Sequence, residues 1–300
     1  MSFLDQLRSL VEDPAPVYAF EISPNGVALG VRSSRRGAAP EIRFQHLDAG
    51  VLAVSPVNDN VLLPDVFERL VASMAPMNGS RRQREAALIL PDYCTRIAVL
   101  DFESFPTEKS EQLSLVRFRM KKTVPFDMDA ATLSYHVRQA GKKYEVIVAA
   151  APVEVIARYE APFRAAGFTP GFATTSIMAA MDLLPAAGLH VAVKLAAPTL
   201  TVAVCDGRQP KLVRCVQLET LALDECMAVL FPTLAYAEDE MPRKPQAIHA
   251  CGFGNELDAF RARCDAELAL PVEPLRSVWG APTEANAGLL GWLQVQEGRA

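Results

Sequence analysis

The sequence predicts a duplicated α/β architecture, with two lobes facing each other across a cleft. Three observations predict it. The chain has 300 residues, 50% hydrophobic and 22% charged, an ordinary globular composition on more chain than one small core uses. Each half opens with three consecutive strand patterns followed by a helix pattern. Between those runs lies a helix and a long hairpin that belong to neither repeat. The repetition is one of element order, not of sequence.

The elements follow in order. Residues 2–12 predict a short amphipathic helix, with Phe3, Leu4, Leu7, Leu10 and Val11 at helical spacing. Ser2 and Asp5 form a capping box, and Asp13-Pro14-Ala15-Pro16 stops the helix. VYAFEIS and GVALGVRS flank Pro24-Asn25 as a hairpin, and EIRFQHL is a third strand. LPDVFERLVASMA is an amphipathic helix. EAALILP and TRIAVLDF are strands joined around Asp92-Tyr93. A helix over about 107–122 follows, with Thr107 as N-cap and Leu113, Val116, Met120 and Phe118 as its stripe. Pro125 ends it, and Asp127-Met128-Asp129 turn the chain into the hairpin ATLSYHVRQA and YEVIVAAAP. VEVIARYEAPFRAAG is a helix expected to kink or break at Pro162. A further short helix, SIMAAMDLLPAAG, closes the first half. HVAVKLA, TLTVAVCDG and QPKLVRCVQL then restart the three-strand run. A long helix with an irregularity expected at Pro232 follows, then strand QAIHACGFG, helix NELDAFRARCDAEL, a short strand PVEPL and a final helix. The boundaries predicted are 1–16 for the N-terminal helix, 17–188 for the first lobe with its insertion at about 86–172, and 189–300 for the second lobe.

Composition excludes several functions. Net charge is −5, and the short basic runs RSSRRG and GSRRQRE sit beside Gly and Ser as solvated turns, so no nucleic-acid partner is expected. The six cysteines (94, 205, 215, 226, 251, 264) lack CxxC spacing, and three fall in apolar runs, where Cys acts as a small hydrophobe. Neither a disulfide framework nor a metal site is expected. The four histidines lie far apart in sequence, and no GxSxG, HExxH or GxxxxGK[ST] occurs. No catalytic residue is assigned. The start of the chain lacks a signal peptide pattern, and no apolar run reaches the ~18 residues of a spanning helix. A soluble, cytoplasmic chain is expected, touching a membrane only through a partner.

One stretch carries a family resemblance. LILPDYCTRIAVLDFESFPTEKSEQLSLVRFRMKKTVPFDMDAATLSYHV runs strand, Pro-Asp, strand, helix, a Pro-Phe corner and a strand bearing Tyr. YEVIVAAAPVEVIARYEAPFRAAGFTPGFATTSIMAAMDLLP continues it. This order resembles the PilM family of type IV pilus assembly, within the actin-like ATPase superfamily. The resemblance spans nearly the whole chain and rests on order and spacing, with few identities. It implies the duplicated actin-like, ribonuclease H-like fold.

The resemblance also implies a nucleotide site between the lobes, and there the sequence departs from the family. The first loop, usually Asp-Ile-Gly, is Glu21-Ile22-Ser23-Pro24-Asn25-Gly26. The second, usually Asp-x-Gly, begins at Lys194 and runs to Pro198. The usual Gly-Gly near the adenosine is Gly252-Phe253-Gly254. Glu21, Ser23, Asn25, Lys194, Gly252 and Gly254 are therefore the candidate, degenerate nucleotide-loop residues. Together they lose one carboxylate, two glycines and two N–H donors that would hold phosphate and Mg²⁺. ATP hydrolysis is not expected, and no cofactor is assigned, with ATP the one the fold would take.

The resemblance further implies a cytoplasmic scaffold, peripheral at the inner membrane, that binds the N-terminal tail of a PilN-like membrane protein. Pilus motor ATPases are further partners on that reading. Phe118, Lys122, Pro125, Phe126 and Tyr135, around the corner in the insertion, are the candidate partner-binding residues. The alternatives are a nucleotide-binding actin-like ATPase, a filament-forming division protein, and the cytoplasmic component of a type II secretion platform.

Overall fold

The structure, a computed structural model, describes residues 15–33, 38–76 and 84–299. The N-terminal helix expected over 2–12 and most of both basic runs lie outside them. Alternating apolar residues build the first large sheet from β1 (Tyr18–Ser23), β2 (Gly26–Val31), β3 (Glu41–His46), β4 (Arg84–Leu90) and β8 (Phe168–Thr175). Its order is β3-β2-β1-β4-β8. The first three strands pair antiparallel, and β1, β4 and β8 pair parallel. The second sheet repeats that plan. It joins β9 (Leu189–Ala196), β10 (Thr199–Asp206), β11 (Gln209–Gln217), β12 (Ala247–Cys251) and β13 (Val272–Pro274) in the order β11-β10-β9-β12-β13, with the same senses. The duplication expected from element order is thus a duplication of topology.

Helices cover these sheets where the apolar stripes require it. Phe67, Val71 and Met74 of α1 (Pro64–Met74), and Val155, Tyr159 and Phe163 of α3 (Val153–Ala165), pack on one face of the first sheet. Tyr159 reaches Asn60, whose buried amide also binds the Ser55–Asn58 loop. The second sheet carries α5 (Leu223–Glu240) and α6 (Leu257–Leu268) on one face. The chain does not break at either proline. Helix α3 runs through Pro162 in its last turn, and α5 runs through Pro232.

A third sheet, β5-β7-β6, comprises β5 (Arg96–Phe102), β6 (Ala131–Ala140) and β7 (Lys143–Pro152), all antiparallel. Helix α2 (Lys109–Met120) covers one face with Val116 and Met120. Glu108, not Thr107, caps it, accepting from the Ser110 N–H, and Phe118 lies off the buried stripe at 63% exposed. This small unit occupies 96–152. Residues 84–90 and 168–175, expected mostly within the insertion, are strands of the first sheet: β4 pairs parallel with β1, which buries its apolar run, and β8 pairs parallel with β4 at the sheet edge.

The last helix corrects the other boundary. Helix α7 (Ala287–Arg299), expected in the second lobe, lies on the free face of the first sheet with Leu289, Trp292 and Leu293 against Ala19, Ala28, Ala87 and Ile89. Small residues allow the approach. A Cβ on Gly291 would come within 2.0 Å of the Ala179 carbonyl oxygen. Ala179 belongs to α4 (Ser176–Ala180), which follows β8 directly.

Candidate functional site

Two hairpins face each other where the lobes meet, β1–β2 from the first and β9–β10 from the second. Strand β1 carries a buried Glu21, and β9 carries Lys194, also buried at 4% exposed. The parallel strand β4 ends in Pro91, and the single turn Asp92–Cys94 then places the Asp92 carboxylate in the same cleft. Lys194 Nζ lies 3.3 Å from Asp92 Oδ2 and 4.0 Å from Glu21 Oε1. A lysine from one lobe is thus held between two carboxylates of the other.

Both carboxylates have further donors. Asp92 Oδ1 accepts from the Ile177 N–H at 2.6 Å, at the start of α4. Asp92 Oδ2 also accepts from the Thr201 hydroxyl of β10 at 3.2 Å. Glu21 Oε2 accepts from the Leu289 N–H of α7 at 2.7 Å, and Glu21 Oε1 from the Ser176 hydroxyl. Five elements and the turn after β4 therefore converge on one ion cluster. Burial pushes the Glu21 carboxyl above the usual range, against the pull of the Lys194 ammonium and the two hydrogen bonds. That direction suits a cluster with two carboxylates and one ammonium, since protonating one carboxylate neutralises it. Burial pulls Lys194 down, but Asp92 and Glu21 outweigh it and hold the ammonium above its ordinary value.

The other candidate loop residues surround this cluster unequally. The Ser23 hydroxyl donates to the Gly26 carbonyl of its own hairpin at 2.9 Å. Asn25 is exposed at the hairpin tip, where its carbonyl accepts from Leu47. Gly252 has φ 85° and sits so close to β9 that a Cβ would come within 2.0 Å of the Leu195 carbonyl oxygen. Gly254 opens a short turn with no atom within 4 Å of where its Cβ would sit. Between the two hairpin tips a volume of about 10 Å³ is open to the centre of a water, lined by Ser23, Pro24, Asp92, Lys194 and Thr199. That is room for roughly one water molecule. Below it the lobes meet through a core that includes Ile177, Met181, Ala192, Ala203 and Cys251.

Asp92, which the sequence presents only as part of a turn between two strands, is the third member of the cluster. Its signal was a Pro-Asp pair following an unbroken apolar strand, which puts a carboxylate at the edge of a buried sheet. His190 and His249, far apart in sequence, are neighbours on β9 and β12, with ring nitrogens 3.1 Å apart. All six cysteines are free. Among the described residues no cluster of metal-ligating side chains occurs, and no helix is long and apolar enough to cross a membrane.

The candidate partner-binding residues form two sets. Phe118 and Lys122 lie exposed on the outer side of α2, with Lys122 Nζ 5.8 Å from the Phe118 ring centroid. Pro125 is exposed, whereas Phe126 and Tyr135 pack at the rim of the insertion's core. Tyr135 donates to Gln112 of α2 at 3.0 Å. The structure ties the insertion to the second lobe through Glu145 on β7, which pairs with Lys211 on β11 and with Arg138 on β6.

No family model matches the sequence, and no curated protein is similar to it in sequence. Solved structures do match. A Bacteroides thetaiotaomicron protein described as having an actin-like ATPase fold is similar at TM-score 0.57, with 9% identity, over 91% of this chain and 94% of that one. The chain has the actin-like fold. Within that fold it is also similar to a chain of a PilM-PilN type IV pilus biogenesis complex, at TM-score 0.76 and 16% identity, over 95% of this chain and 99% of that one. The cytoplasmic domain of EpsL, an inner-membrane component of the Vibrio cholerae type II secretion system, is similar at TM-score 0.53 and 11% identity, covering 94% and 93%. The actin-like fold accounts for the duplicated sheets and for the facing hairpins.

Proposed function

We propose that this chain is a non-hydrolysing, PilM-like scaffold that binds the cytoplasmic N-terminal tail of a PilN-like membrane protein. The observation that carries the reading is the buried Glu21–Lys194–Asp92 cluster. In an actin-like nucleotide site, carboxylates from the facing hairpins hold Mg²⁺ through water, and backbone N–H groups cradle phosphate. The residues present do not fit that group. The carboxylates already bind an ammonium, Pro24 and Pro198 offer no N–H, and the space between the two hairpin tips takes about one water. The cluster instead pins the lobes together, which suits a binding platform with fixed geometry.

The partner is inferred from shape. Likeness to the PilM-PilN complex exceeds likeness to the EpsL domain, 0.76 against 0.53 in TM-score, which favours a pilus platform over a type II secretion platform. On this reading the protein is peripheral at the inner membrane through its partner, and motor ATPases contact the assembled platform. An extended tail binds such a chain by lying along a strand edge or in a groove, with a few apolar side chains in pockets. The test is calorimetry with a synthetic peptide of the first residues of a PilN-like protein encoded beside this one. Saturable binding at micromolar Kd or tighter is expected, and absence of binding sinks the assignment.

A further inference from the structure

Strand β9 carries Lys194 near its end and His190 near its start. His190 and His249 are both buried, on the parallel neighbours β9 and β12. Their rings form one hydrogen-bonded line. His190 Nε2 lies 3.0 Å from the Ala187 carbonyl oxygen. A carbonyl only accepts, so this nitrogen carries the proton. In the neutral ring His190 Nδ1 is then a bare acceptor, and His249 Nε2, 3.1 Å away, is the N–H that donates to it. His249 Nδ1 is left bare. It faces the Glu273 carboxylate of β13 at 3.8 Å, beyond hydrogen-bond distance. The line therefore ends with a lone pair against an anion.

Both ends are attached to parts of the fold that matter. Ala187 belongs to Pro185-Ala186-Ala187-Gly188, the linker from the core between the lobes, which holds Leu184, to β9. Three bonds strap that linker to the second lobe. Arg208 donates to the Leu184 carbonyl at 3.1 Å, the Gly207 N–H to the Gly188 carbonyl at 2.7 Å, and His190 to Ala187. Glu273 belongs to β13, the three-residue strand that ends the sheet order, in register with His249.

One proton completes the line. Placed on His249 Nδ1, it turns the gap to Glu273 into a charge-assisted N–H···O bond. The outer nitrogens then donate to Ala187 and Glu273, and the inner pair share one proton. A second proton would set N–H against N–H. The titratable neighbours are few. Cys205 stands opposite His190 on β10, and Cys251 lies two residues beyond His249 on β12. Burial pushes both thiols up to about 12, so they stay neutral. The linker carries no titratable side chain, and the charges acting on His249 are His190 and Glu273. Burial and His190 resist a charge on His249, and Glu273 favours it. If β13 frays, Glu273 departs and the site binds its proton less well, so protonation holds β13 down.

We infer that the His190–His249 pair is a one-proton latch, which on acidification ties β13 through Glu273 to the linker between the lobes. The experiment is hydrogen exchange in the full chain at pH 5 and pH 7.5, with rates corrected for intrinsic exchange and referred to the core strand 191–195. The reporter is 270–275, where the Leu275 N–H donates to the Ala250 carbonyl at 2.8 Å. Relative protection there is expected to rise about threefold or more from pH 7.5 to pH 5 in the wild type, the gain of one charge-assisted bond. E273Q, at a side chain 62% exposed, keeps the fold and is expected to abolish the rise. Histidine titration by NMR gives an independent readout. E273Q should lower the His249 midpoint by about 0.3 pH or more, because the carboxylate favours the charged ring. Equal protection of 270–275 at the two pH values in the wild type overturns the inference. So does a rise that persists in E273Q, or a His249 midpoint that E273Q leaves unchanged.

Discussion

Replacing Lys194 with Met removes one charge and leaves two buried carboxylates of the first lobe, Glu21 and Asp92, without their counter-charge. The side chain removed is 5% exposed and the carboxylate side chains are 1% and 3% exposed, so water screens little of the consequence. Breaking a buried ion pair by deleting one partner costs about 3–5 kcal/mol, since the partner charge stays buried and uncompensated. With a urea slope of about 3 kcal/mol per molar, the unfolding midpoint falls by about 1–1.7 M. The pH dependence separates this cause from lost packing. Without the ammonium the buried Glu21 carboxyl favours its protonated form more strongly, so the deficit of K194M relative to wild type shrinks as pH falls from 8 to 5. A cavity effect would be the same at both pH values. The triple variant E21Q/D92N/K194M, which removes every charge together, is expected to recover most of the lost midpoint. Urea denaturation followed by far-UV circular dichroism reads all three. A K194M midpoint within about 0.3 M of wild type, or a deficit independent of pH, would refute the buried cluster as the clasp between the lobes.

Other consequences are tested more simply. Burial and then the neighbouring His190 lower the His249 pKa below its ordinary 6.5, with Glu273 pulling the other way. A base with a lowered folded pKa contributes stability that is present above the unfolded value and lost as pH falls through the folded value. Thermal stability should therefore decline from about pH 6.5 downward, and an H249Q chain should show a flatter acid limb in a melting series. Lys211→Ala deletes the charged bond to Glu145 between insertion and second lobe. A loss of about 1.5–3 kcal/mol is expected in denaturant titration, the range for hydrogen bonds to charged groups. Phe118→Ala, on an exposed face, should leave stability within about 0.5 kcal/mol of wild type. If the outer side of α2 receives the partner's tail, the same substitution should weaken peptide binding at least tenfold in calorimetry.

Much of the fold was legible because it is written in periodicity. Three strands and a helix, twice, gave the duplicated lobes, and the long hairpin after Pro125 marked an inserted unit. The Pro-Phe corner is a fold marker. Asp127 turns the chain by accepting from the Asp129 N–H, and Phe126 packs inward. What escaped is non-local. Pattern alone placed α7 in the lobe where its sequence ends, whereas Gly288 and Gly291 let it close onto the first sheet. Pro162 reads as a kink or a break and Pro232 as an irregularity, yet packing of the apolar faces of α3 and α5 carries each helix through its missing hydrogen bond. In the cleft, Glu21 and Lys194 were visible as departures from a loop pattern. Their pairing was not, because it depends on Asp92, a residue 71 positions from one and 102 from the other, whose neighbours look like an ordinary turn.

The measurement that bears most directly on the central claim is calorimetric titration of MgATP into the full-length chain at neutral pH. With Lys194 seated between Glu21 and Asp92 and room for about one water beside it, the account predicts no saturable binding up to about 1 mM nucleotide, a binding free energy weaker than about −4 kcal/mol. One-to-one binding at micromolar Kd, with or without release of phosphate, would contradict it.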